Sequence, residues 1–312
     1  MSQALVPQSA PQLPDRKLTA TKILVATDFS RASDLALDYA LVLARRSDAQ
    51  LYLAHILPTG RPGHPEALPA APLADAAWQA AERTLAAILV SGRLRDIPHE
   101  VLLERGSVWS TLAALIQKHE IDLVVTGSHR HGSSLKPSIG AVAGEILAHA
   151  TCAVLTVPPS IPRDDEAGAP VLRNVLFATD FGPAAQRTAA FALALAREHG
   201  ARLTILHIIE DNLQNRPVAA AETRPAPPSA HTLAELALPA AESCLTAECR
   251  SSSSRLAREI LAHARKSKAD LLVMDAECRK TPAADAVPSI SLGVILKAHC
   301  PVLTMRVPPT TR

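Results

Sequence analysis

The stretch Lys22-Ile-Leu-Val-Ala-Thr-Asp-Phe-Ser30 recurs as Asn174-Val-Leu-Phe-Ala-Thr-Asp-Phe-Gly182, which puts Asp28 and Asp180 152 positions apart. A short aliphatic run that ends in a polar turn reads as a buried strand feeding a loop and then a helix. The same offset pairs Ala40-Leu41 with Ala192-Leu193, Leu43-Ala44-Arg45 with Leu195-Ala196-Arg197, and His55-Ile56 with His207-Ile208. Further on, Asp122-Leu-Val-Val125 pairs with Asp270-Leu-Leu-Val273, and Cys152-Ala-Val-Leu-Thr156 with Cys300-Pro-Val-Leu-Thr304, at an offset of 148. The chain therefore holds two copies of one unit, the second four residues shorter between these blocks. Its 312 residues suit two domains of roughly 150 residues each.

Within the first copy, aliphatic runs predict strands at 23–26, 51–56, 100–103, 123–126 and 153–157. Helical periodicity predicts helices at 31–46, 73–90, 107–118 and 142–148, the first with Leu35, Tyr39, Val42 and Leu43 on one face. Strands alternating with helices specify an α/β fold, a five-stranded parallel sheet with helices on both faces. The second copy follows the same plan except in its middle. There 211–230 is a Pro- and Ala-rich stretch expected to be a mobile loop, Leu245–Cys249 is the candidate third strand, and the Ser251–Ser254 run is expected to cap a helix starting near Arg255. The expected domains are a disordered leader at 1–20, a first domain at 21–158, a Pro-rich linker at 159–170 and a second domain at 171–307.

Composition narrows the function. Lys+Arg of 32 against Asp+Glu of 30 gives a formal charge of +2, too balanced for a general grip on nucleic acid or an anionic membrane. No apolar run reaches the ~18 residues that span a bilayer. The five cysteines (Cys152, Cys244, Cys249, Cys278, Cys300) have no metal-ligand spacing and no secretory segment precedes them, so a cytoplasmic location is expected. Cys152 and Cys300 sit at equivalent positions before the final strands, where a packing role is favoured over a redox one.

Ligands of open parallel sheets bind beyond the carboxyl ends of the strands, where the strand order reverses. That rule selects Ala26-Thr27-Asp28, His55-Ile56 and the loop from Gly127 to Val142. The loop reads Gly127-Ser-His-Arg-His-Gly-Ser-Ser-Leu-Lys-Pro-Ser-Ile-Gly140-Ala-Val142, and its glycines and following helix can turn backbone N–H groups toward phosphate oxygens. His55 and His207 read as hydrogen-bonded structural histidines. The His129-x-His131 pair reads as a solvated loop, because no third metal ligand can be assigned. No Ser-His-Asp order or pair of catalytic carboxylates is visible.

These blocks, in this order and twice over, resemble the universal stress protein family across nearly all of 21–307. The resemblance implies two tandem Rossmann-like domains of the adenine nucleotide alpha hydrolase-like kind. It also implies a stress-response role, and an intramolecular pseudo-dimer in which the final strands pair across a two-fold. A homodimer of two such chains is a further expectation. In the ATP-binding branch of that family the loop follows Gly-x2-Gly-x9-Gly-(Ser/Thr). Here Gly127 and Gly140 match at the required spacing, while Arg130 and Ala141 stand at the second glycine and at the hydroxyl position. ATP, with accompanying magnesium, is thus expected in the first domain alone. The residues implied are Ala26, Asp28, Ile56, Gly127, Ser128, Arg130, Gly140, Ala141 and Val142, with Arg130 or His131 lending positive charge to a phosphate.

In the second copy Asp275, Cys278, Pro288 and Ser289 occupy the four loop positions, a set hostile to a triphosphate. Two readings of Asp28 stand open, a nucleotide contact and a cap on the following helix; for Asp180 the cap is favoured. Two readings of the whole chain also remain, an ATP-binding protein with at most slow hydrolysis and a nucleotide-free scaffold on the same fold.

Overall fold

The computed structural model describes residues 20–59, 71–128, 139–161, 170–182, 184–210, 245–252, 256–276 and 289–306. Residues 1–19 of the expected leader, the centre of the linker, the 211–230 stretch and most of the Gly127–Gly140 loop lie outside them, while Ala20 is buried in the core. The first half runs β1 (Lys22–Ala26), α1 (Arg31–Ser47), β2 (Gln50–Pro58), α2 (Ala71–Val90), β3 (His99–Gly106), α3 (Val108–Lys118), β4 (Leu123–Gly127), α4 (Ala141–His149) and β5 (Ala153–Val157). The second runs β6 (Asn174–Ala178), α5 (Ala185–His199), β7 (Arg202–Glu210), β8 (Leu245–Ser252), α6 (Leu256–Lys266), β9 (Leu271–Ala276), α7 (Ser289–Ile295) and β10 (Val302–Arg306). Ser251 and Ser252, the first half of the run expected to cap the following helix, are strand residues. Ser253, Ser254 and Arg255 lie outside the described residues.

All ten strands form one sheet in the order β3-β2-β1-β4-β5-β10-β9-β6-β7-β8. Every neighbouring pair is parallel except β5 and β10, which run antiparallel with Leu155 opposite Leu303, Thr156 opposite Val302 and Val154 opposite Thr304. Leu155 and Leu303 are repeat equivalents, so the pseudo-two-fold axis passes through that pair.

Strand alternation divides the core. Ile23 and Val25 face a layer with α1, α5 and Phe177, whereas Leu24 faces α3, α4, α6 and α7. Both apolar layers run without interruption through the two halves. The duplicated Asp122 and Asp270 fasten this arrangement. Asp122 accepts the backbone N–H groups of Thr21 (2.8 Å) and Lys22 (3.1 Å), and Asp270 those of Arg173 (2.8 Å) and Asn174 (2.9 Å), at the entrances to β1 and β6.

Helix α1 is covered on more than the expected stripe, since Leu37 and Leu41 are buried along with Leu35, Tyr39 and Leu43, while Val42 is half-buried. The reason is tertiary: α5 packs beside α1 in the same layer, and Arg93 bridges Asp34 and Asp38 one turn apart. Where the two helices approach, burial and then the Arg46 charge push the His199 imidazole below its ordinary value of 6.5. Its Nε2 is buried and has no hydrogen-bond partner among the described residues.

A histidine whose folded pKa is depressed is protonated more readily in the unfolded chain, so its contribution is complete above about 6.5 and is lost as pH falls through that value. His299, depressed chiefly by burial, acts in the same sense. Urea unfolding at pH 8 and pH 5.5 is expected to show a smaller acid loss for His199→Gln than for the unaltered chain. Equal losses would contradict this assignment.

Candidate functional site

β1 and β4 are neighbours, but α1 leaves β1 toward one face of the sheet and α4 leaves β4 toward the other. Their loops part at the carboxyl edge and leave a cavity of about 300 Å³. Ala26, Thr27, Asp28, Ser30 and Ser33 form the wall on the β1–α1 side. Opposite stand Thr126 and Gly127 at the end of β4, with Gly140–Ala143 at the start of α4. Ala54, His55, Ile56 and Pro58 from β2, with Val108 and Leu112 from α3, give a largely apolar third side.

Seven of the nine residues singled out from the sequence thus line one cavity: Ala26, Asp28, Ile56, Gly127, Gly140, Ala141 and Val142. Ser128 is buried outside that lining, its N–H bonded to the Val157 carbonyl (2.9 Å) and its own carbonyl accepting the Gly140 N–H (3.3 Å). Arg130, His129, His131 and Gly132 lie outside the described residues. Val108 and Leu112 were not foreseen. Their signal is topological, since the helix after β3 packs over β2 and can reach the same edge.

The Asp28 carboxylate does not cap α1. Its Oδ1 accepts the Ser30 N–H (3.0 Å) and closes a turn in which Phe29 takes φ 61°, and it is Ser30 whose hydroxyl accepts the Ser33 N–H (3.2 Å) as the helix cap. Thr27 Oγ1 accepts the Phe29 N–H (3.1 Å). The His55 Nδ1 lies 2.8 Å from the Thr27 carbonyl, which can only accept, so Nδ1 carries the proton. The His55 ring stacks on Phe29 at 4.2 Å.

The second domain repeats the turn: Asp180 Oδ1 accepts the Gly182 N–H (2.8 Å), Phe181 has φ 60°, and His207 Nδ1 meets the Thr179 carbonyl at 2.9 Å. There too the Asp holds the turn and does not cap the helix. The residue preceding α5, Ala184, supplies no side-chain cap.

The two domains part at the next strand. A side chain at Gly127 would put Cβ 2.8 Å from the Ala32 carbonyl carbon and 2.9 Å from the Ser33 nitrogen, so this glycine is required by the approach of β4 to α1. Its equivalent, Asp275, accepts a hydrogen bond from Thr188 Oγ1, and α5 begins two positions later in the repeat than α1. Asp275 adds a carboxylate where the first domain has none, and α7 is only seven residues long. Cys278 and Pro288 lie outside the described residues.

α4 carries nine residues behind an N-cap glycine, with no side-chain cap and no acidic residue in its first turn. Among the described residues no group accepts the N–H groups of Ala141, Val142 and Ala143, and the positive end of the helix dipole faces the cavity. Among the described residues no group of three His, Cys, Asp or Glu could hold a metal ion. Burial pushes the Cys152 thiol up to about 11 and the Cys300 thiol up to about 12, which leaves little reactive thiolate. No helix among the described residues is long and apolar enough to cross a membrane.

Two parallel α/β units with strand order 3-2-1-4-5, the first with a cavity at its switch point, define the class as tandem Rossmann-like domains. A family model described as "Universal stress protein family" matches residues 19–158 and 172–306, and the chain belongs to that family. Among solved structures, a universal stress protein from Archaeoglobus fulgidus DSM 4304 is similar over 94% of this chain and 99% of its own, with TM-score 0.70 and 18% identity. A putative universal stress protein from Pseudomonas aeruginosa UCBPP-PA14 covers 93% and 94%, with TM-score 0.62 and 16% identity. A universal stress protein from Archaeoglobus fulgidus in complex with dAMP is similar over 44% of this chain and 99% of its own, with TM-score 0.32 and 17% identity. A search of the curated proteins finds no match.

Gly127→Ala forces the added methyl against backbone and is expected to destabilise the chain by about 1–3 kcal/mol. A urea titration checks this, and an unchanged midpoint would refute the close approach.

Proposed function

We propose that the chain is a cytoplasmic stress-response protein whose first domain binds ATP in the cavity between β1 and β4, while the second domain binds no nucleotide. The observation that carries this reading is the amino end of α4, uncapped by any described residue and opening on the same cavity as Asp28 and an apolar wall. Ile56, Val108 and Leu112 suit a flat base. The Asp28 carboxylate suits a sugar hydroxyl, and the N–H groups of Ala141 to Ala143 suit phosphate oxygens. α1 is a poorer phosphate site, because Ser30 already takes the Ser33 N–H.

Arg130, and His131 near it in sequence, add positive charge to the same loop. Magnesium would be held by the phosphate oxygens and water. Gly127 serves this site through packing, by letting β4 lie close to α1. Hydrolysis would be slow at most, since Asp28 and His55, the titratable groups of the described cavity wall, are engaged in holding the turn between β1 and α1.

The second reading, a nucleotide-free scaffold, is favoured for the second domain by Asp275 and the short α7. Gly140→Asp separates the two readings for the first domain. A carboxylate at that position caps α4 and repels phosphate, so calorimetric titration with Mg-ATP is expected to show at least about tenfold weaker binding at unchanged or slightly raised thermal stability. Absence of saturable binding by the unaltered chain at millimolar ATP would establish the scaffold reading instead.

A further inference from the structure

The helix that offers its amino end to the cavity is held at its carboxyl end by the other domain. Arg306, the last residue of β10, donates a hydrogen bond from Nη1 to the carbonyl oxygen of Ala148 in the last turn of α4. Nine residues are too few for a helix to sustain itself in water, and its last carbonyls have no partner within the helix. The buried apolar anchors of α4 are Ala143, Ile146 and Leu147. A half-buried guanidinium at that end satisfies a carbonyl and opposes the negative end of the helix dipole. The arrangement runs one way only, because the repeat equivalent of Arg306 is Pro158, which has neither charge nor donor.

We propose that Arg306 is a positioning residue for the ligand site of the first domain, supplied by the second. By fixing α4 at its carboxyl end it sets where the N–H groups of Ala141, Val142 and Ala143 stand roughly 13 Å away, the rise of a nine-residue helix. This rests on the nucleotide reading given above, and it assigns the second domain a part in the first domain's site even though it binds no nucleotide itself.

The test uses the full chain as Arg306→Met, which keeps the apolar stem, and Arg306→Lys, which keeps the cation. Arg202→Met is the control, because it removes an exposed arginine at the amino end of β7, in the other domain and one strand from the far edge of the sheet. Hydrogen exchange by mass spectrometry reads α4 directly, and calorimetry with Mg-ATP reads the site. For Arg306→Met we expect α4 amides to exchange about 3- to 10-fold faster and ATP to bind weaker by a similar factor. Arg306→Lys should restore most of both, and Arg202→Met should change neither.

Unchanged exchange and affinity in Arg306→Met would overturn the proposal. So would faster exchange extending through α5 and β9, which would mark general loosening of the second domain. If the unaltered chain binds no ATP while α4 still responds, the nucleotide reading falls and the ligand role of Arg306 with it, whereas the anchoring of α4 stands.

Discussion

The pairing of β5 with β10 is the constraint on which the rest of the structure depends. A strand order of 3-2-1-4-5 leaves β5 at the rim of its own domain, yet all five of its residues are buried. A rim strand of this kind presents unpaired backbone groups and apolar side chains that must be covered. β10 covers it with its own repeat equivalent, Leu303 against Leu155, and reverses the direction of the sheet at that one place. From this follow the continuous apolar layers on both faces, the contact of α1 with α5, and the reach of Arg306 to α4. The edges that remain are β3 and β8, at opposite ends of the sheet. The final strands already satisfy each other and so offer no free edge to an additional chain.

Comparison of the two copies separates what the fold needs from what a ligand would need. The turn that carries Asp28, Phe29 and the His55 contact is reproduced with Asp180, Phe181 and His207. Its hydrogen bonds thus account for its residues without any ligand. The difference is concentrated at the end of the fourth strand. Gly127 allows α1 to start early with a serine cap, while Asp275 is accommodated by Thr188 on a helix that starts late and uncapped. The retained cavity and the retained α4 therefore belong together, as do the carboxylate and the short α7.

The sequence showed the architecture because its signals were duplicated. Each aliphatic run could be read twice, and Asp28 with Asp180 fixed the register. Less was legible where one residue's geometry depends on a distant partner. The burial of Leu37 and Leu41 comes from α5, 150 residues away in the chain, and periodicity within α1 cannot show it. Edge strands were read short, Glu100–Leu103 for His99–Gly106 and Leu245–Cys249 for Leu245–Ser252, because polar residues are tolerated at a sheet margin and blur the pattern. Asp28 and Ser30 can each cap a helix by residue type. The choice is made by the left-handed backbone at Phe29, which spacing does not encode. Ser128 follows a glycine in a ligand-type loop, but its bond to Val157 places it beyond the cavity wall.

One pseudo-symmetric chain would then carry one nucleotide site, in its first domain. Native mass spectrometry of the intact chain at saturating Mg-ATP counts those sites directly. The account predicts one nucleotide bound per chain. Two per chain, or none, would contradict it.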